Sequence, residues 1–315
     1  ILPSIGGNIR VGNSEMFLTE ACEYTNSFLS LFPKIGVILN MDADHLDFFK
    51  DIDDIRHSFR KFAELIPADG ALIINADTPE YQTITDGLSC RILTYGLENT
   101  GETDYTAENI VFDSYAHPSF DCIFRGENIG HYSLKVPGLH NVSNALASIA
   151  VARELNLSDE AIHGGFASFT GTDRRFQYKG TVGDVTIIDD YAHHPTEITA
   201  TLKAAAECPH KTLWCVFQPH TYTRTKALMK EFAQALSMAD HVVLAKIYPA
   251  RETDNLGISS ADLQTEIQAL DTPCEYFETF DEIENYLLEN IAPGDLLITM
   301  GAGDIVKVGE NLLGQ

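Results

Sequence analysis

The 315-residue chain is 44% hydrophobic and 21% charged, a composition that fills the cores of about two domains and excludes an intrinsically disordered protein. Its formal net charge of −25 repels nucleic acid and anionic membrane surfaces, so neither is expected as a partner, and an anionic ligand must be met by a local pocket of Arg, His, backbone N–H or metal. No apolar run reaches the roughly 18 residues of a membrane span, and the six cysteines (Cys22, Cys90, Cys122, Cys208, Cys215 and Cys274) form no C-x-x-C pair, which reads as reduced thiols in a cytoplasmic protein.

The opening Ile1-Leu2-Pro3 is neither a signal peptide nor an initiator context and is expected to be the interior of a longer chain. Residues 15–21 and 35–40 read as short strands, and residues 51–65 carry apolar side chains at Ile52, Ile55, Phe59, Phe62 and Leu65, close to helical spacing. Residues 71–75 and 91–95 are again strand-like. The stretch 105–136 is β-rich, with Asn128-Ile129-Gly130 expected to form a hairpin turn. Residues 140–155 then form an Ala- and Leu-rich helix.

The second half alternates regularly. Strands at 185–188, 212–217, 241–245 and 295–299 each precede a helical segment, and 274–277 adds a further strand, so a parallel sheet flanked by helices is expected. Between the halves lies Thr170-Gly171-Thr172-Asp173-Arg174-Arg175-Phe176, where the domain boundary is placed, giving units of 1–170 and 171–315.

Several segments carry side chains suited to chemistry. Asp189-Asp190-Tyr191-Ala192-His193-His194, followed by Pro195, joins a β-branched run to a helix, the place where open α/β sheets bind ligands. A second loop of this kind, Pro219-His220-Thr221-Tyr222-Thr223-Arg224, follows the next strand, so His193, His194, His220 and Arg224 are expected to share a crevice that binds a carboxylate and positions an amine. In the first half, Glu20 follows one apparent strand, and Asp44 and His45 follow another. Together they are read either as a divalent-metal site beside phosphates or as a solvated acidic loop. His140-Asn141-Val142-Ser143-Asn144 opens the Ala-rich helix: its amides either cap that helix or read an adenine edge. Arg174-Arg175 suits a phosphate or carboxylate, or an ion pair across the domain junction. Met300-Gly301-Ala302-Gly303-Asp304 places glycines before a helix, a weak anion-site pattern.

Taken in order, these segments, with Gly138 to Asn144, Phe217 to Thr225 and Tyr248-Pro249-Ala250-Arg251-Glu252, resemble a Mur ligase along essentially the whole chain. The resemblance implies an α/β protein in which an incomplete central ATPase domain, a mixed sheet with helices, precedes a Rossmann-like C-terminal domain. The implied reaction is ATP-dependent: UDP-N-acetylmuramate is phosphorylated on its carboxylate, and the amine of L-alanine attacks the acyl phosphate. It implies ATP and Mg²⁺ as cofactors, Glu20 and His45 as metal ligands, and His140, Asn141, Asn144, Asp189 and Asp190 at the nucleotide. Tyr191, His193, His220 and Arg224 would receive the amino acid, with His45, Arg174, Arg175, His193 and Arg224 taking part in catalysis. Thr221 stands where many relatives carry Arg and receives no role. The family's G-x-x-G-K-[ST] loop is absent from these 315 residues, so ligase activity is not expected of this chain alone; alanine- and ATP-dependent product from the purified chain would contradict that. No D-N-P-R motif of the later-acting ligases occurs, and Lys61 is not a convincing carbamate site. The alternatives are the murein-tripeptide recycling branch of the family, or a noncatalytic binding or regulatory fragment.

Overall fold

The computed structural model describes residues 5–43, 48–98, 101, 103–113 and 115–315. The first sheet runs in chain order through β1 (Ile35–Ile38), β2 (Ala71–Asn75), β3 (Arg91–Tyr95), β4 (Tyr105–Phe112), β5 (Pro118–Phe124) and β6 (Glu127–Ser133). Its first three strands are parallel, β4 joins β3 through the single parallel pair Tyr95 and Tyr105, and β4 to β6 form an antiparallel meander. β2 shows the period-two logic of a strand covered on both faces. Leu72 and Ile74 pack with Ala63 and Ile66 on the side of α1 (Ile52–Glu64), whereas Ile73 packs with Leu146 and Ile149 of α3 (Leu139–Glu154). A short helix α2 (Gln82–Thr85) and α4 (Asp159–Ser168) complete this half.

The second sheet contains β7 (Gln177–Val182), β8 (Val185–Asp190), β9 (Leu213–Phe217), β10 (His241–Leu244), β11 (Cys274–Tyr276) and β12 (Leu296–Met300), in the order β11-β10-β9-β12-β8-β7. Only the β7–β8 hairpin is antiparallel. Helices α5 (Pro195–Ala206), α6 (Tyr222–Ala227), α7 (Met229–Leu236), α8 (Ser260–Gln268), α9 (Phe280–Asn290) and α10 (Val306–Leu312) follow the strands. The connection from β8 through α5 to β9 steps over β12, so the carboxyl ends of β8, β12 and β9 lie side by side. Met300 is in register with both Asp190 and Phe217. Strand order reverses at this point, which opens a crevice at the carboxyl edge.

Two expectations from the sequence differ from the structure, and one helix was not expected. Residues 15–21 form no strand, and Met16, Phe17 and Leu18 are exposed by 57%, 88% and 93%. An apolar run becomes a strand only where a neighbouring strand completes its backbone hydrogen bonds, and none pairs with it among the described residues. The hairpin turn is at Arg125-Gly126, both with positive φ (50° and 85°), as a tight two-residue turn requires. Asn128-Ile129-Gly130 instead lies within β6 at a register shift, where Cys122 pairs with Gly130 and Ile123 with Asn128, leaving Ile129 as the extra residue of a bulge. α4 was not anticipated; its signal was Ser158, whose hydroxyl accepts from Ala161 N, followed by Asp159 and Glu160 in the first turn.

Each sheet has its own buried clusters, Ile73 belonging to one and Ile298 to another. Ile73→Ala and Ile298→Ala are each expected to cost about 2–5 kcal/mol, and hydrogen exchange should accelerate mainly in the half that carries the substitution. Equal acceleration throughout the chain from either variant would contradict two separate cores.

Candidate active site at the edge of the second sheet

The linker after α4 is stitched onto the end of β8. Tyr191 N donates to Arg174 O at 2.6 Å, Phe176 N to Asp190 Oδ2 at 2.8 Å, and Arg174 N to Gln177 Oε1 at 3.0 Å. These bonds hold Arg174 and Phe176 at φ of 60° and 46°, a conformation unfavourable for side chains of this size. Asp189 is fully buried: its Oδ2 accepts from Arg174 Nε at 2.8 Å and its Oδ1 from Thr299 Oγ1 at 2.7 Å. Asp190 is also buried, its Oδ1 accepting from Ala192 N at 2.7 Å. Burial pushes the Asp190 carboxyl up to about 6, against the opposing pull of its backbone donors, Arg175 and Thr201. Both acids therefore face the protein and shape the loop from within.

Outside them the loop presents a row of rings. Tyr191 lies under two guanidinium groups, Arg174 at 5.0 Å and Arg175 at 5.6 Å from its ring centroid. Next come His193, edge-on to Tyr191 at 5.4 Å, then His220 at 5.9 Å from His193, then Tyr248 stacked on His220 at 5.6 Å. Arg224 closes the row, with Nη1 3.3 Å from His220 Nδ1. The second loop is braced by Thr221 N donating to Tyr248 O at 2.8 Å and Tyr248 N to Pro219 O at 2.8 Å. Glu252 accepts from the backbone N–H groups of Tyr222 and Thr223 and from the Thr223 hydroxyl, fixing the start of α6. Thr221, at φ 68°, caps α6 with its hydroxyl, which accepts from Arg224 N at 3.4 Å.

The adjacent histidines divide in role. His194 is the buried N-cap of α5, its Nδ1 accepting from Thr196 N at 3.4 Å. Glu197 completes the capping box by accepting from His194 N at 3.3 Å, and it also accepts from His193 N at 2.9 Å. His193 turns outward into the ring row, and its Nδ1 lies 3.0 Å from Tyr191 O. A proton on Nδ1 satisfies that carbonyl and leaves the lone pair on Nε2.

The first half approaches this edge at the start of α3. Gly138, at φ 93°, precedes the helix, and a Cβ there would come within 3.1 Å of Ala204 Cβ on α5 and 2.8 Å of His140 Cε1. His140 is reached by solvent, yet crowding at this junction and then the charge of Arg175 lower its pKa, favouring the neutral ring. Asn141 does not cap the helix: its Nδ2 donates to Pro137 O at 2.7 Å, and its Oδ1 accepts from Asn144 Nδ2 at 3.3 Å. Asn141 and Asn144 border a largely apolar recess of about 370 Å³ between α3 and α4, which Ala145, Ile162, Phe166 and Phe169 help to line. Asp42, beyond β1, reaches across to α5, accepting from the Thr196 hydroxyl and lying 3.6 Å from His194 Nδ1.

The expected metal ligands fall largely outside what the structure describes. Glu20 stands on the exposed irregular segment, and His45, with Asp44, lies outside the described residues. Among the described residues no three His, Cys, Asp or Glu side chains gather as a metal site. In the glycine turn at 301–303 the carbonyls of Gly301 and Gly303 accept from Arg174 at 2.7 and 2.9 Å, and Gly301 N donates to Asp190 O at 3.0 Å. Reading residue types missed Glu197, Tyr248 and Glu252 as braces of the site. For Glu197 the signal was present in its spacing, three residues beyond the N-cap His194.

The site therefore sits on a mostly parallel sheet, with histidines and arginines at its switch point, beside a second α/β unit. The sequence profile of the Mur ligase middle domain matches residues 3–152, and that of the Mur ligase glutamate ligase domain matches residues 174–303. The chain belongs to the Mur ligase family. It is 56% identical over 313 residues to a UDP-N-acetylmuramate–L-alanine ligase of Lachnospira eligens, a match covering 99% of this chain and 68% of that protein. Among solved structures, UDP-N-acetylmuramate–alanine ligase of Thermotoga maritima superposes with a TM-score of 0.73 at 25% identity, over 92% of this chain and 61% of that one. A murein peptide ligase of Psychrobacter arcticus gives 0.66 at 25% identity, over 91% and 58%.

The buried Asp190 predicts a pH dependence. With its pKa raised from 3.8 to about 6, the native state holds this proton more tightly than the unfolded chain. The resulting stability is fully present below the unfolded value and is lost as pH rises through about 6. The stability of the wild type minus that of Asp190→Asn, from urea unfolding at each pH, should therefore fall by on the order of 2–3 kcal/mol between about pH 4 and 7. A difference that does not change with pH would contradict the assignment.

Proposed function

We propose that this chain forms the nucleotide-facing and amino-acid-receiving parts of an ATP-dependent UDP-N-acetylmuramate–L-alanine ligase acting in peptidoglycan precursor synthesis in the cytoplasm. Among the described residues no helix is long and apolar enough to cross a membrane, which agrees with that location. The two units divide between residues 170 and 171, within the linker that separates α4 from β7. The observation that carries the reading is the row Tyr191, His193, His220 and Arg224 at the switch point, taken with the 56% identity to an alanine-adding relative.

In this reading ATP phosphorylates the substrate carboxylate, and the alanine amine then attacks the acyl phosphate through a tetrahedral intermediate that expels phosphate. Arg224 pairs with the alanine carboxylate, and His193 offers the Nε2 lone pair to the ammonium proton that must leave before attack. Arg175, half exposed at the junction, faces the phosphates. The amides of Asn144 and Asn141 border the apolar recess, where a flat base such as adenine can bury its faces while its edge finds a donor and an acceptor. Mg²⁺ would accompany the ATP phosphates. Glu20 and His45 remain its expected ligands, and no step here runs through it.

Calorimetric titration of the chain tests this reading. ADP is expected to bind, and L-alanine to bind in its presence. Arg224→Ala and His193→Ala should each weaken alanine about tenfold, the cost of one lost charge-assisted contact, and leave ADP affinity in place. His194→Ala should instead lower stability by about 0.5–2 kcal/mol through its lost cap. A chain that binds neither ADP nor alanine would overturn the proposal.

A further inference from the structure

The neighbouring arginines of the linker differ in how their guanidinium groups are used. Arg174 donates from Nε to buried Asp189 at 2.8 Å, from Nη1 to Gly303 O at 2.9 Å and from Nη2 to Gly301 O at 2.7 Å. Its side chain is 22% exposed, and its Cζ lies 5.0 Å from the centroid of the Tyr191 ring. Arg175 has a side chain 53% exposed, lies farther from the Tyr191 ring at 5.6 Å, and has the Glu197 carboxylate 3.6 Å away.

What Arg174 holds is the spacing between two walls of the site. The 301–303 turn is pressed onto Gln218: a Cβ on Gly301 would stand 2.7 Å from Gln218 O, and one on Gly303 would stand 2.2 Å from Gln218 Oε1. Gln218 leads directly into the His220 loop. A guanidinium that grips both turn carbonyls while lying 5.0 Å over Tyr191 therefore sets the distance from the Tyr191–His193 wall to the His220–Arg224 wall. A lysine, with one ammonium and no planar face, cannot reproduce that geometry.

We infer that Arg174 is a positioning residue for the amino-acid end of the reaction, acting through Tyr191 and the 301–303 turn. This rests on the function proposed above.

The test uses the chain titrated with ADP, with adenosine, and with L-alanine in the presence of ADP, together with aromatic NMR of Tyr191. Arg175→Ala should reduce the preference for ADP over adenosine at least about tenfold, as expected for a lost arginine–phosphate contact. Arg174→Lys should keep that preference within about twofold, shift the Tyr191 ring resonances and weaken alanine at least about fivefold. Should Arg174→Lys fold poorly because Asp189 loses its partner, the double variant Arg174→Met/Asp189→Asn removes both charges, and the same pattern is expected of it. Arg174 variants that erode the ADP preference as far as Arg175→Ala does would overturn the inference, as would alanine binding and Tyr191 resonances that remain unchanged. Wild-type chain that binds neither ADP nor alanine would instead overturn the function on which the inference rests.

Discussion

The ion pair between Arg174 and the fully buried Asp189 is the contact on which the site depends. A buried carboxylate left without its guanidinium costs about 3–5 kcal/mol, so this pair forces the linker onto the end of β8. From it follow the left-handed backbone at Arg174, the hydrogen bond from Tyr191 N to Arg174 O, and the anchoring of the turn after β12. Thr299 supplies the second hydrogen bond to Asp189 from the neighbouring strand. The central strand of the crevice and its rim are thereby locked together.

On that base the molecule builds a site from loops that are individually unremarkable. Capping does much of the ordering: Glu197 gathers the N–H groups of His193 and His194, and Glu252 gathers those of Tyr222 and Thr223. Each carboxylate satisfies backbone donors at a helix start and, by doing so, aims a histidine or arginine outward. In a chain of net charge −25, this use of acids as braces leaves Arg175 and Arg224 as the positive charges of the crevice, beside the imidazoles. Such a crevice suits a reaction whose participants are carboxylates and phosphates.

The second sheet was legible in the sequence because each of its strands is a short apolar run followed by a helix. The alternation of parallel strand and helix leaves little ambiguity of period. The first sheet was less so. The apolar run at 16–18 has the composition of a strand, but pairing is a tertiary property that no local pattern carries. The Asn128-Ile129-Gly130 signal marked a real irregularity, a bulge in place of a turn. Among candidate site residues, His193, His220 and Arg224 were expected, from their type and their place at strand ends, to share a crevice, and the structure lines them up in one row. Whether Asp189, Asp190, His194 and Arg174 faced the ligand or the protein was invisible, since that depends on which donors the fold brings to them. Glu252 acts on the start of a helix 30 residues upstream, a spacing that belongs to no local sequence pattern; the parallel bridge between His220 and Tyr248 brings the two loops together.

The central claim is that the loops after β8 and β9, together with the start of α3, form one site for an amino acid and a nucleotide. A crystal structure of this chain soaked with ADP and L-alanine tests it most directly. The account predicts the alanine carboxylate on Arg224, its amine facing His193 Nε2, and the adenine edge at Asn141 and Asn144, with Arg174 still bound to Asp189, Gly301 and Gly303. Alanine seated away from the His193–His220 row, or Arg174 swung out onto the nucleotide, would contradict it.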